Sequence, residues 1–336
     1  MDAFGDEEFA EVKYKTMNWW QCGILMVAET VSLGILSLPG AVAGIGMAPA
    51  VVILIGLGLM ATYTGYVIGQ FKWKYPQVCN MADAGEVMAG PIGREVLGVA
   101  QMLFLVFIMA SHILTFSVAL NTITEHGTCT IVFGVVGLVV SFICSLPRTL
   151  EKMSWLSLVC SAGPLLSKIS YGIALPTVSS PAPYTTNSPA SQLTAPQIVI
   201  AGVINGHVAF KLVYVRIFAG TDRMHKRDWV SVGSWIAIGL VLWIIAWIIA
   251  EAIPVFDNLL SLIVALFASW FTYGLSGIFW LYMNWGLYFS SWRKTVLMVL
   301  NVLIFGVGAA LCGLGLYVSG KAIHDNTGSE SFSCAA

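Results

Sequence analysis

Eight stretches of this chain are each long and apolar enough to cross a lipid bilayer, which restricts the fold more than any other feature of the sequence. They run Trp19–Leu38, Met47–Phe71, Val96–Ile123, Cys129–Leu146, Gln197–Ala219, Val232–Ile253, Leu259–Met283 and Thr295–Ser319. A hydrocarbon core ~30 Å thick needs ~20 mostly apolar helical residues to span it. Backbone N–H and C=O groups find no water there, so a spanning segment must be a helix or part of a closed barrel. Barrel strands alternate apolar and polar residues with period two, a pattern these runs lack. A soluble chain carries about 25% charged residues, whereas this one of 336 residues carries 10%. The sequence therefore predicts an all-α, polytopic helical membrane protein with eight or nine transmembrane helices. The ninth stretch, Trp155–Pro176, is apolar but interrupted by Gly163, Pro164 and Lys168. Residues 1–16 read as a polar tail, 17–320 as the transmembrane domain and 321–336 as a second tail.

Basic residues give the orientation, since Lys and Arg concentrate in cytoplasmic loops. With a cytoplasmic N-terminus and nine alternating spans, Lys13, Lys15, Arg148, Arg223, Lys226, Arg227 and Arg293 all fall inside. The outer loops 39–46, 124–128, 177–196 and 254–258 then contain no Lys or Arg, and Lys321 is the one basic residue outside. Removing the ninth span would place Arg223, Lys226 and Arg227 outside, so the charges favour an odd number of spans. Residues 1–16 include Asp2, Asp6, Glu7, Glu8 and Glu11 and no apolar core, so no cleaved signal peptide is expected.

The net charge of −1 excludes the basic footprint of a nucleic-acid binder. Seven cysteines show no CxxC or metal-ligand spacing, and Cys22, Cys144, Cys160 and Cys312 sit in apolar runs as small hydrophobes. No metal or cofactor is expected. Walker, HExxH, GxSxG and GxGxxG patterns are absent, and nothing in the sequence supports an enzyme.

The first run holds Glu29, Thr30, Ser32, Leu33, Gly34, Ile35, Ser37, Pro39 and Gly40. Gly and Pro loosen a helix, and a helix unwound at mid-depth exposes main-chain groups that can hold a substrate's carboxylate and amino group or a coupling ion. The bland alternative is a kink that only improves packing. Glu29 lies ten residues past Trp19, near mid-span, where a charge costs roughly 3 kcal/mol and is usually functional or paired. In the run Gln197–Ala219, His207 and Lys211 are four residues apart and share a helix face, while Asn205 lies on another. Two ionisable groups on one face suggest a water-lined cavity or proton path, though Lys211 can also snorkel toward the nearby end of the run. His112, alone in an apolar run, reads as a satisfied core histidine.

Several segments resemble one family. Thr30-Val31-Ser32-Leu33-Gly34-Ile35-Leu36-Ser37-Leu38-Pro39 resembles the first-helix motif of the amino acid/auxin permease family, in its fungal neutral amino-acid permease branch. A second match is Tyr171–Thr177 continued by Ile198–Ala209, and a third is Val215–Phe218 followed by Gly220–His225. The resemblance runs from about Lys13 to about residue 320. It implies a LeuT-like fold of two inverted five-helix repeats and a secondary transporter of neutral amino acids, with protons, or sodium, as the coupling ion. It further implies that Thr30, Ser32, Leu33, Gly34 and Ile35 line the substrate site and that the helix bearing Asn205 and His207 faces it; Glu29, from its depth in the first run, and His207 are the candidates for proton coupling. The expected place is the plasma membrane, with the vacuolar membrane as the alternative.

Two departures from the family pattern matter. Family members have eleven spans. After Trp155–Cys160, which looks like the start of the fifth helix, the text passes to Ser161–Pro164, which resembles the loop before the eighth. Most of the fifth helix and all of the sixth and seventh are missing, including the sixth, which is the inverted-repeat partner of the first. Residues Val178–Gln197, with Pro181, Pro183, Pro189 and Pro196, interrupt the second motif with the composition of a disordered loop, and codons for Leu193-Thr194 and Gln197 could form the branch site and terminal CAG of a retained intron. The partial fold leaves a second functional reading open, a transport-inactive truncated relative.

Overall fold

The structure, a computed structural model, describes residues 10–14, 16–31, 42, 44–125, 127–151, 154–155, 189–253 and 256–325. For residues 30–31, 122, 189–197, 222 and 256–257 it describes the backbone alone. Regular structure among the described residues is entirely helical. The helices are α1 (Trp19–Val31), α2 (Met47–Lys74), α3 (Met81–Ile123), α4 (Thr130–Cys144), α5 (Pro189–Phe218), α6 (Trp229–Ala252), α7 (Phe256–Ser269), α8 (Leu275–Met283) and α9 (Trp292–Asp325). A 3₁₀ turn, Asp222–His225, follows α5, and a π-helical turn, Trp270–Gly274, joins α7 to α8.

Six helical segments among the described residues are long and apolar enough to cross a membrane: Met47–Lys74, Met81–Asn121, Ile198–Phe218, Trp229–Ala252, Asn258–Met283 and Trp292–Asp325. Thr130–Cys144 is apolar but shorter, 15 residues. The first expected run is described as helix through Val31, and its remainder lies outside the described residues. The ninth stretch, Trp155–Pro176, also lies outside them apart from Trp155. The helical backbone of α5 reaches back to Pro189, inside the stretch expected to form a loop.

The exposed surface fits lipid as its solvent. On α2, Val52, Ile55 and Leu59 are 71%, 60% and 69% exposed, and α9 shows Leu303, Leu314 and Val318 outward in the same way. Contiguous apolar surface of this kind is rare on a soluble monomer. Within α3 the chain breaks helical geometry at Ala89 and Gly90, immediately before Pro91. Proline's ring disfavours a helical residue before it, and Gly90 relieves the conflict by adopting φ 65°, which a side chain would penalise.

The chain divides into two compact units. The first contains α2, α3 up to Phe104, the α7–π-turn–α8 segment and α9. Its core stacks Phe71 on Phe279 at 4.3 Å between ring centroids, among Val67, Leu275 and Trp280. The α8–α9 pair packs at backbone distance: a Cβ added to Gly277 would lie 2.7 Å from the Asn301 carbonyl oxygen. The second unit contains α1, α3 from Leu105, α4, α5 and α6. Its core is built on Trp235, Trp243, Phe210, Tyr214, Met109 and Ile113, all buried.

Candidate functional site

Helix α5 organises the second unit because its small residues let neighbours approach. Gly202 faces His112 of α3, where an added Cβ would lie 2.8 Å from the histidine Cβ, and Gly206 faces the Trp243 ring of α6. Glycines four residues apart share a helix face, and these contacts fix how α5 is turned. Residues His207, Phe210 and Tyr214, at helical spacing, close around the Trp235 ring of α6 at 5.2, 5.8 and 5.5 Å.

That rotation aims Asn205 at α1. Asn205 Nδ2 donates to Glu29 Oε1 at 2.6 Å and also to the Ala201 carbonyl at 3.0 Å. The other carboxylate oxygen, Glu29 Oε2, is buried and meets no partner. A buried polar oxygen is satisfied by protein or water in nearly all native structures, so an open one at mid-helix is a place for a proton, a cation or a ligand's donor group. Two residues expected at the site from sequence, 176 positions apart, are thus brought into direct contact.

His207 stands apart from that pair. Its side chain is fully buried against Trp235, beside the main chain of Pro147 and Arg148, and neither ring nitrogen reaches a partner at hydrogen-bonding geometry. Lys211, on the same face one turn on, holds its ammonium 4.8 Å from the Tyr14 ring. The expected shared face of His207 and Lys211 is therefore present, and it looks toward α6 and the N-terminal segment. His112 is a core histidine, with Nδ1 2.7 Å from the Ile108 carbonyl oxygen. The side chain of Thr30, together with Ser32, Leu33, Gly34 and Ile35, lies outside the described residues. Among the described residues no cluster of His, Cys, Asp and Glu could hold a metal ion.

One cluster escaped the sequence reading. Arg148, counted there as a loop charge, donates to the hydroxyls of Tyr14 and Tyr214 at 2.7 and 2.9 Å and to the carbonyls of Met224 and Lys226 at 3.0 Å each. No motif announces these contacts, because they join residues far apart in the chain. The only sequence signal was the position of Arg148 at the mouth of an apolar run.

Comparison with known proteins agrees with a helical membrane architecture. The family described as "Transmembrane amino acid transporter protein" matches residues 15–200 and 185–320, two segments that overlap over 185–200, across the end of the expected insert. An "N amino acid transport system protein" of Neurospora crassa is 27% identical over 451 aligned positions, covering 100% of this chain and 92% of the relative. A "Transmembrane transporter" of Gibberella moniliformis is 22% identical, covering 96% of this chain and 88% of the relative. No solved structure matches. With 336 residues set against 451 aligned positions, at least 115 positions of the first alignment have no counterpart here. The helical, lipid-facing architecture and a family match spanning most of its length agree, and the chain belongs to the transmembrane amino acid transporter family.

Proposed function

We propose that this chain is a secondary transporter of amino acids, selective for neutral ones and coupled to protons, with its N-terminus in the cytoplasm and its place in the plasma membrane. The observation that carries the reading is the Glu29–Asn205 pair: a buried carboxylate on the first helix, bonded to the helix that bears the second motif and left with one open oxygen. A carboxylate in that position can accept a proton as substrate binds, since the ionised form is costly away from water and the proton removes that cost. Thr30, Ser32, Leu33, Gly34 and Ile35 would supply loosened main-chain groups for the substrate's charged ends, and Asn205 would face them. His207 serves as a second protonatable group on the inner half of α5. The relatives' printed names, amino acid transport and transmembrane transport, support the substrate class. Labelled neutral amino acids offered to proteoliposomes with an imposed inward proton gradient test the proposal. Uptake that collapses with the gradient supports it, and no uptake of any neutral amino acid overturns it.

A second reading, a transport-inactive truncated relative, is favoured by the missing positions. The absent stretch includes the inverted-repeat partner of α1 and thereby half of a LeuT-like site. Sequencing the full-length transcript across Glu151–Ala209 separates the two. A longer product restoring those helices favours the transporter, and a transcript matching this chain favours the inactive form.

A further inference from the structure

Two stretches of the first unit carry cations and no acid. Residues 70–82 hold Lys72 and Lys74, residues 284–302 hold Arg293 and Lys294, and neither stretch contains Asp or Glu. The fold brings them to one end of the unit, where α2 and α8 finish and α9 begins. Lys74 Nζ donates to the Met283 carbonyl at 2.7 Å, and the Tyr75 and Tyr282 rings lie 6.2 Å apart. Leu297 and Met298 of α9 pack on the apolar cluster that contains Phe71 and Phe279, as does Tyr75.

The charges at this end are not neutralised within the protein. Lys72 Nζ donates to the Pro76 carbonyl at 2.6 Å, so both lysines are oriented by main-chain carbonyls, which leave the positive charge in place. Among the described residues none of the four cations meets a carboxylate at ion-pair distance. The acids of this end are on α3, where Asp83 accepts from Cys79 N at 2.8 Å, Glu86 faces Arg94 at 3.5 Å and Glu95 follows Arg94.

Aromatic rings flank the cations. Trp73 and Trp285 are each 81% exposed and Trp292 is 74% exposed, with Phe289 also outward. Tryptophan settles at headgroup level, and belts of it ordinarily mark both faces of a membrane protein. Here the belt is one-sided. The opposite end of the unit, where α2 and α7 begin and α9 finishes, has no tryptophan, and its sequence sets Lys321 against Asp257 and Asp325. Exposed rings place the four cations at the depth of lipid headgroups, where lysine and arginine are drawn to anionic lipid and gain little from a zwitterion.

We propose that this rim, Lys72, Lys74, Arg293 and Lys294 beside Trp73 and Trp292, binds the headgroup of an anionic glycerophospholipid and anchors the first unit in the leaflet that holds it. In the expected orientation this end faces the cytoplasm, the side on which anionic lipid gathers. The anchor operates whether or not the chain transports anything, so its test needs no substrate. The full chain, stripped of lipid in detergent, is offered equimolar phosphatidylcholine and phosphatidylserine with the same acyl chains, and bound lipid is counted by native mass spectrometry. Phosphatidylserine is expected to be retained over phosphatidylcholine. The double variant Arg293→Gln/Lys294→Gln should weaken its retention about thirtyfold, the worth of two cations near an anionic surface, and leave phosphatidylcholine unchanged. Arg94→Gln is the control: Glu86 already meets that charge, so the preference should stay at the parent's level. Equal retention of the two lipids by the parent overturns the proposal, and so does unchanged phosphatidylserine retention in the double variant. A loss in Arg94→Gln as large as that in the double variant also overturns it, since surface charge as a whole would then bind the lipid. If the double variant does not fold, Arg293→Gln alone decides, with about a fivefold loss expected and no loss counting against the site.

Discussion

The two units are built from the same apolar helices but spend their buried polar groups differently. In the first, the core is aromatic and aliphatic, and helices meet at glycine, as Gly277 meets the Asn301 carbonyl. Its polar contacts between helices include Asn301 Nδ2 on the Tyr63 hydroxyl at 2.7 Å, and the Asn301 Oδ1 is the one atom of this unit found buried without a partner among the described residues. The second buries Glu29, Asn205, His112, His207 and the Arg148 cluster, several of them with open valences. Open polar atoms in a membrane interior destabilise a fold and persist where they do something else. The difference teaches where to look: on the proposed reading, transport-critical residues are sought in the second unit, and changes in the first are expected to act through stability.

The largest test of that division replaces Glu29 with Gln. The substitution keeps the shape and removes both the charge and the site for a coupled proton. Proton-driven uptake is expected to fall at least about tenfold, equivalent to about 1.4 kcal/mol of lost transition-state stabilisation, while membrane insertion is unchanged or improved. Uptake that survives Glu29→Gln, measured in the same proteoliposomes, would remove the main distinction between the units.

Much of this contrast was legible in the sequence, and the reason differs by residue. Apolar runs of bilayer length dictate helices whatever their neighbours do, so α2, α6 and α9 lie close to where the hydropathy placed them. Glu29 and Asn205 stood out because a charge or amide is costly in an apolar run, and the fold then placed them 2.6 Å apart. What could not be read was which faces meet. Arg148 counted only as a loop charge, because its partners Tyr14, Tyr214 and Met224 are joined by tertiary packing and by no spacing rule. The separation of His207 from Glu29 was equally hidden, since it depends on how Gly202 and Gly206 turn α5 against its neighbours.

A smaller effect compares two glycines. At Gly277 an added Cβ meets a main-chain carbonyl at 2.7 Å, which cannot step aside without parting α8 from α9. At Gly134, in the second unit, the nearest atom at 2.5 Å is the Glu251 carboxylate, the far end of a flexible side chain. Gly277→Ala is expected to destabilise by about 1–3 kcal/mol, the range for overpacking. Gly134→Ala should cost less, because Glu251 can swing away. Thermal unfolding in detergent ranks the two, and the opposite order would show that the first unit yields more readily than its backbone contacts indicate.

The smallest effect comes from the polar bond of the scaffold unit. Tyr63→Phe removes the hydroxyl that accepts from Asn301 Nδ2, yet Asn301 keeps its bond to the Leu297 carbonyl at 2.8 Å. Asn301→Leu removes the amide together with its unpartnered Oδ1 and leaves the Tyr63 hydroxyl to find another partner. Hydrogen bonds between membrane helices average about 0.6 kcal/mol in double-mutant cycles, because the unfolded state in the membrane also finds partners. Each single change should therefore cost about that much in SDS-driven unfolding, and the double change little more than either alone, since both remove one shared bond. Proton-driven uptake should be unaltered in all three variants. A coupling energy near zero would mean the bond does not contribute, and a tenfold loss of uptake would carry chemistry into the unit assigned to packing.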